Sequence, residues 1–248
     1  MAPTDDLVAR CLELFQQQCY AEASALACGA LEDHPEHPLL WQLHGTACWF
    51  LQDYPGARNA LETAVFHGPL QPLSRVALAG TYARTGEPAA AVGVYRHLLQ
   101  DERTPAALLP RISVGLGSLG EDWLALQVCR KLARLQPHHH AAFFGMAYYM
   151  ARMEYPAECF LRHLLRAHQL QPDRLTYRVN LALALAELGQ DDQAYDLVKD
   201  VAPESVGCIC WLRRLAVLCA AVGDDARRDG FARRLEQVKA LSARDRPA

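Results

Sequence analysis

Three short stretches hold residues whose types and spacing suggest chemistry. Gly115-Leu116-Gly117-Ser118-Leu119-Gly120 has the G-x-G-x-x-G spacing that brings a backbone against a pyrophosphate, a function that requires a strand before it and a helix after it. His138-His139-His140, with His163 and His168 downstream, offers imidazoles for zinc. Three consecutive side chains diverge too far to share one tetrahedral ion, and no Cys-x2-Cys or His-x3-His pair accompanies them. His163 and His168 are five residues apart, which turns them away from each other on a helix. Cys208-Ile209-Cys210 offers two thiols, but a redox pair is more often Cys-x-x-Cys, and these read as packing residues beside Trp211. There is no P-loop, His-Glu-x-x-His, Gly-x-Ser-x-Gly or paired-carboxylate arrangement. The sequence therefore predicts a non-enzyme with no catalytic, cofactor-binding or metal-binding residues.

The elements that would have to position those residues are helices. Beta-branched residues are scarce, nothing alternates at period two, and Ala/Leu-rich segments place apolar residues at i, i+3, i+4 and i+7. No strand precedes Gly115, so the dinucleotide reading lacks its context. With 51% apolar residues among 248 the chain can build a continuous core. Its 25 basic and 28 acidic residues are spread evenly, which points to neither nucleic acid nor a membrane surface as partner. The start MAPTDDLVARCLELF has no secretory pattern, and the longest apolar run, 141–151, is too short to span a bilayer. A cytoplasmic protein is expected. The basic residues are 22 Arg and 3 Lys, a bias typical of GC-rich bacterial genomes. Cys11, Cys19, Cys28, Cys48, Cys129, Cys159 and Cys219 fall among apolar residues at helical spacing and read as reduced core residues.

The breaks between helices recur. Ala23, Ala57, Ala91 and Ala125 lie 34 residues apart, the period of a stacked helix-turn-helix array. The fullest copy starts at Pro38 and carries Trp41, Gly45, Ala57, Leu61, Ala64 and Pro69. Tyr82, Gly86, Ala91 and Tyr95 follow in the next. Ala23, Ala30 and Pro35 precede them, and Gly120, Ala125, Leu132 and Pro137 come after. Gly145, Tyr148 and Ala157, then Gly189 and Ala194, then Gly223 extend the series. This pattern resembles the tetratricopeptide repeat (TPR). The resemblance implies an all-α, right-handed α-solenoid of about seven helix-turn-helix repeats over 1–243: 4–37, 38–71, 72–105, 106–137, 138–174, 175–208 and 209–243. A charged capping helix from about Asp225 to Ser242 would close it, followed by a disordered tail at 244–248. Gly120 becomes a turn glycine equivalent to Gly86, Gly189 and Gly223. The spacing around Pro137 and Ala157 departs from the period and predicts a tightened turn at His138–His140, with an extended second helix between about Pro156 and Gln171.

The resemblance also implies that the first helix of each repeat lines a concave groove. Carried over residue by residue, the partner-binding positions include Leu43, Trp49, Phe50, Arg84, Arg111, Val114, Gly117, Met146, Tyr149, Met150 and Asn180. Gly80, Ala83 and Gly117 would leave room between large apolar groups, and the wall's charges would be Arg84, Arg111, Arg178 and Arg214. Such a wall suits a protein segment with apolar anchors and some acidic character. The implied function is a non-catalytic adaptor or chaperone, with no nucleic acid and no membrane insertion. The alternatives are an assembly scaffold working through its convex face or ends, and a chaperone of the type III secretion kind, whose repeats FFGMAYYMARMEYPAE resembles.

Overall fold

A computed structural model describes residues 3–244. The fold is all-α, with no strand among the described residues, and fourteen α-helices form seven helix-turn-helix pairs. The chain divides into two compact units, Met1–Gln136 and Pro137–Ala248, where the sequence predicts one run over 1–243. The first unit holds α1 (Pro3–Gln16), α2 (Tyr20–Asp33), α3 (Pro38–Phe50), α4 (Tyr54–His67), α5 (Pro72–Arg84), α6 (Pro88–Gln100), α7 (Leu109–Ser118, preceded by a 3-10 turn) and α8 (Asp122–Leu135). The second holds α9 (His140–Arg152), α10 (Ala157–Leu170), α11 (Leu175–Glu187), the short α12 (Asp191–Asp196), α13 (Ile209–Ala221) and α14 (Asp225–Arg244). The odd-numbered helix opens each pair. The predicted tail lies outside the described residues, except that Arg244 closes α14.

The turn inside each pair has one backbone design. A residue with positive φ sits at Gln18, Gln52, Gly86, Gly120, Glu154, Gly189 and Gly223. The next amide donates back across it, as Asp53 to the Cys48 carbonyl at 2.9 Å and Glu121 to the Leu116 carbonyl at 3.0 Å. This is the left-handed helix stop that glycine fills without strain. Gly120, the last glycine of the G-x-G-x-x-G stretch, is therefore a turn residue between two helices.

Close packing in each pair depends on small residues at fixed places. Ala23, Ala57, Ala91, Ala125 and Ala194 each stand fourth in their helix and are fully buried. The eighth residues of the opening helices are small as well: a Cβ on Gly45 would lie 2.7 Å from the Leu61 side chain and 3.0 Å from the Ala60 methyl. Ala79 and Ala147, at the same place, are buried, and so is Ser113, which is eighth when counted from the 3-10 turn that begins at Ala106. Leu40, Leu61, Leu98, Ile112 and Leu116 fill the first unit's interior; Tyr177, Leu181, Leu212 and Leu215 fill the second's. Burying each such side chain contributes roughly 1.5–3 kcal/mol.

The fifth pair differs from its sequence prediction. The linker before α9, residues 136–139, is four residues long like those at 34–37 and 68–71, so His138–His140 is not tightened. The α10 helix has 14 residues, the same as α4 and α8, so it is not extended. The irregularity is instead one extra residue in the turn. Elsewhere the helix starts two residues after the positive-φ position; here Glu154 is followed by Tyr155 and Pro156 before Ala157. Pro156 holds an extended ψ of 148° and favours the same in Tyr155 before it. Ala157 is thus the first residue of α10, and Phe160 takes the fourth place that alanine holds in five of the other pairs. Phe160, Leu164 and Ala167 are buried at the spacing of Ala57, Leu61 and Ala64. In α9 the eighth residue is Ala147, so Gly145 is not the equivalent of Gly45.

The charged last helix forms as anticipated, with Arg228 paired to Asp225 and Asp229, and Lys239 to Glu236. Arg227 turns inward and donates to the Val198 and Val201 carbonyls at 2.8 and 2.7 Å. Four of the cysteines read as packed differ: Cys28, Cys159, Cys208 and Cys210 are exposed. The first two lie on solvent faces of α2 and α10. Cys208 precedes α13 and Cys210 is in its first turn, so neither reaches the core beside Trp211.

Candidate functional site

In the first unit the opening helices α3, α5 and α7 bound a cavity of about 510 Å³, with Tyr95 of α6 also lining it. Trp49 and Phe50 end α3 with ring centroids 4.9 Å apart, and Phe50 stacks on Tyr20 at 4.2 Å. Two glycines open the space. A Cβ on Gly80 would lie 2.6 Å from the Trp49 indole nitrogen, and one on Gly115 would lie 2.4 Å from the Tyr95 hydroxyl. Tyr95 is buried, which pushes its phenol up to about 12 and keeps it neutral.

Both charges on this wall are positive and held on aromatic faces. The Arg111 guanidinium lies 5.2 Å from the Phe50 centroid and 5.8 Å from that of Trp49; Arg84 lies 5.7 Å from Tyr54. Arg84 and Arg111 are exposed and have no ion-pair partner among the described residues, and no carboxylate lines the cavity. Cation–π attraction at this range holds each guanidinium beside its ring without using its N–H donors.

The second unit has a smaller cavity of about 250 Å³ between α9, α10, α11 and α13. Phe144 and Tyr148 of α9, Tyr155 of the lengthened turn, and Phe160 of α10 supply four aromatic walls. Phe144 stacks on buried Tyr177 at 4.8 Å. Asn180 lines the cavity while its amide nitrogen donates to the Thr176 carbonyl at 2.7 Å. Arg214 pairs with Glu187 and donates to the Leu183 carbonyl at 3.0 Å.

Of the residues singled out from the sequence, Trp49, Phe50, Arg84, Arg111 and Val114 line the first cavity and Asn180 the second. Leu43 is buried with Cys11 and Ala27. Gly117 is buried and does not line the cavity; Gly115 does. Met146, Tyr149 and Met150 are buried in α9, because the helix starts at His140 rather than two residues earlier, which puts Phe144 and Tyr148 on the cavity side. Arg178 leaves the wall: it pairs with Asp200 and donates to the Leu197 carbonyl at 2.9 Å. The sequence reading missed Tyr95, Phe144, Tyr155 and Phe160 as lining residues. The Phe160, Leu164, Ala167 spacing carries the signal for the last.

Among the described residues, no three His, Cys, Asp or Glu side chains gather in a way that could hold a metal ion. His140 instead bonds the Tyr177 hydroxyl at 2.7 Å. No helix among the described residues is long and apolar enough to cross a membrane.

The architecture defined by these pairs is that of a TPR protein. No protein-family model matches the sequence, and no curated protein matches it either. Solved structures do match in fold. The C-terminal part of a TPR repeat-containing protein from Cytophaga hutchinsonii superposes with a TM-score of 0.69 at 14% identity, covering 93% of this chain and 95% of that one. PilW, a type IV pilus biogenesis factor, gives 0.65 at 16%, covering 81% and 93%. YrrB, a TPR protein with an unusual peptide-binding site, gives 0.57 at 19%, covering 69% and 88%.

Proposed function

We propose that this protein is a non-catalytic interaction module whose first unit binds a segment of a partner protein, as an adaptor or chaperone, in the cavity bounded by α3, α5 and α7. The observation that carries this reading is the pair Arg84 and Arg111, each within cation–π range of an aromatic ring beside an apolar recess that contains no carboxylate. An apolar anchor seated against Trp49 and Phe50, followed by acidic residues within reach of both arginines, complements it. The peptide-binding site of YrrB, a protein of the same fold, supports the reading by analogy.

Fluorescein-labelled peptides with one Leu or Phe anchor and two flanking Asp or Glu test it by fluorescence polarisation. They should bind in preference to versions carrying Lys instead, and more weakly as salt rises, over the roughly 8–10 Å Debye range. Arg84→Glu with Arg111→Glu should weaken binding by about 10- to 100-fold without changing the helical circular dichroism signal. Equal affinity for acidic and basic peptides, or wild-type affinity in the double variant, would overturn the proposal.

A second reading, an assembly scaffold, rests on large apolar side chains on the second helices of pairs: Phe66 of α4, 88% exposed, with Val65, and Trp123 of α8. Concentration-dependent size in light scattering, abolished by Phe66→Ser with Trp123→Ser, would favour it.

A further inference from the structure

The cavity of the second unit differs in chemistry from that of the first, and its origin is visible in the sequence. Where five other pairs bury an alanine methyl, α10 carries the Phe160 ring, 7% exposed. A phenyl ring cannot occupy the volume of a methyl, and the extra turn residue ahead of α10 adds the Tyr155 ring to the same space. The recess lies alongside these two rings.

Size and polarity restrict what fits. An apolar cavity of about 150 Å³ accepts a benzene ring, so 250 Å³ has room for a phenol or an indole but not for a larger fused system. The lining is neutral overall, because Glu187 and Arg214 satisfy each other. The Asn180 amide nitrogen is engaged with the Thr176 carbonyl, which leaves the side-chain oxygen to accept a hydrogen bond. A ring bearing an O–H or N–H donor meets that acceptor; a plain phenyl does not.

The cavity also continues. Leu183, Glu187 and Arg214 are shared with an adjoining groove of about 410 Å³ between α11 and α13. Val217, 66% exposed, and Ala221 line that groove, with Asp191 and Arg213 at its edges. A free small molecule would leave this groove empty, whereas a polypeptide would place its next aliphatic side chain there.

We infer that the second unit is a separate binding site for a tryptophan or tyrosine side chain of a partner polypeptide, with the ring in the Phe160 cavity and a neighbouring aliphatic residue against Val217. This site needs no charge on the ligand and does not depend on Arg84 or Arg111.

The test uses the full chain and a capped, fluorescein-labelled hexapeptide with Trp-Leu between glycines, compared with versions carrying Phe or Ala in place of Trp. The Trp probe should bind at least about ten-fold tighter than the Ala probe, the scale of burying one aromatic side chain. Ala151 is an exposed residue of α9 at the cavity wall, so Ala151→Leu should fill the recess, lose that advantage and leave the fold intact. Asn180→Leu should cost the Trp probe about five-fold, the worth of one hydrogen bond, and leave the Phe probe unchanged. Arg84→Glu with Arg111→Glu should bind the Trp probe as wild type does, which separates this site from the one in the first unit. Equal binding of the Trp and Ala probes, or full binding by Ala151→Leu, would overturn the inference. N-acetyltryptophanamide competing as tightly as the hexapeptide would overturn the polypeptide assignment in favour of a small-molecule site.

Discussion

The two cavities are made in opposite ways from the same repeat. In the first unit space comes from side chains that are missing: Gly80 faces the Trp49 ring and Gly115 faces the Tyr95 hydroxyl, each closer than a real Cβ tolerates. In the second unit space comes from an addition, a ring at Phe160 and one more residue in the turn before it. Their electrostatics differ as well. Arg84 and Arg111 are left without carboxylates, whereas Arg214 is neutralised by Glu187. A TPR pair can therefore gain a recess by subtraction or by insertion, and the pairing of its arginines then decides whether charge selects the ligand.

The second cavity depends most on one side chain, Phe160. If its ring shapes the second cavity and also fills core, Phe160→Ala should destabilise the protein by about 3–5 kcal/mol in urea denaturation and abolish Trp-probe binding. A loss below 1 kcal/mol would show that the helices simply close up as in the other pairs. In the first unit, Gly115→Ala should destabilise by about 1–2 kcal/mol, despite alanine's better helix propensity, because the new methyl meets the buried Tyr95; a more stable variant would mean that Tyr95 moves freely.

The turns give a smaller effect with the opposite sign. Glu154 holds φ 59° where four other turns use glycine, so Glu154→Gly should stabilise by about 0.5–1 kcal/mol, read from the denaturation midpoint.

Acid should weaken the second unit. Burial, with the nearby Arg174 and His139 charges, holds His140 below the ordinary histidine value of 6.5; burial and Arg178 do the same for His168, against the opposing pull of Asp173. The unfolded chain then takes up these protons first. The stabilisation is complete above pH 6.5 and is lost as pH falls through the lower folded values. The imidazole proton resonances of His140 and His168 should titrate below 6.5 in the folded protein, and thermal stability should drop over that interval. Titration at or above 6.5 would remove the effect.

Much of this was legible in the residues. Trp49, Phe50, Arg84, Arg111 and Val114 line a cavity because the period from Pro38 through Ala106 is uninterrupted, so positions carried along it stay on the same face. Asn180 was legible for the same reason, since the period resumes at Leu175. Met146, Tyr149 and Met150 were misplaced because Ala157 resembles the small residue that Phe160 replaces. An alignment anchored there starts α9 two residues early, which on a helix rotates every side chain by about 200°. Gly117 was carried onto the wall by its place in the repeat, yet it is buried and its neighbour Gly115 lines the cavity.

The sequence by itself determined the all-helical class, the 34-residue period, the turn role of Gly120 and the charged last helix, because each follows from spacing and local backbone preference along one segment. Only the tertiary structure decided that Gly115 faces Tyr95, that Arg178 turns to Asp200, and that Phe160 stands beside an open recess. Those are contacts between helices, and they depend on volumes and rotations that neighbouring elements set together.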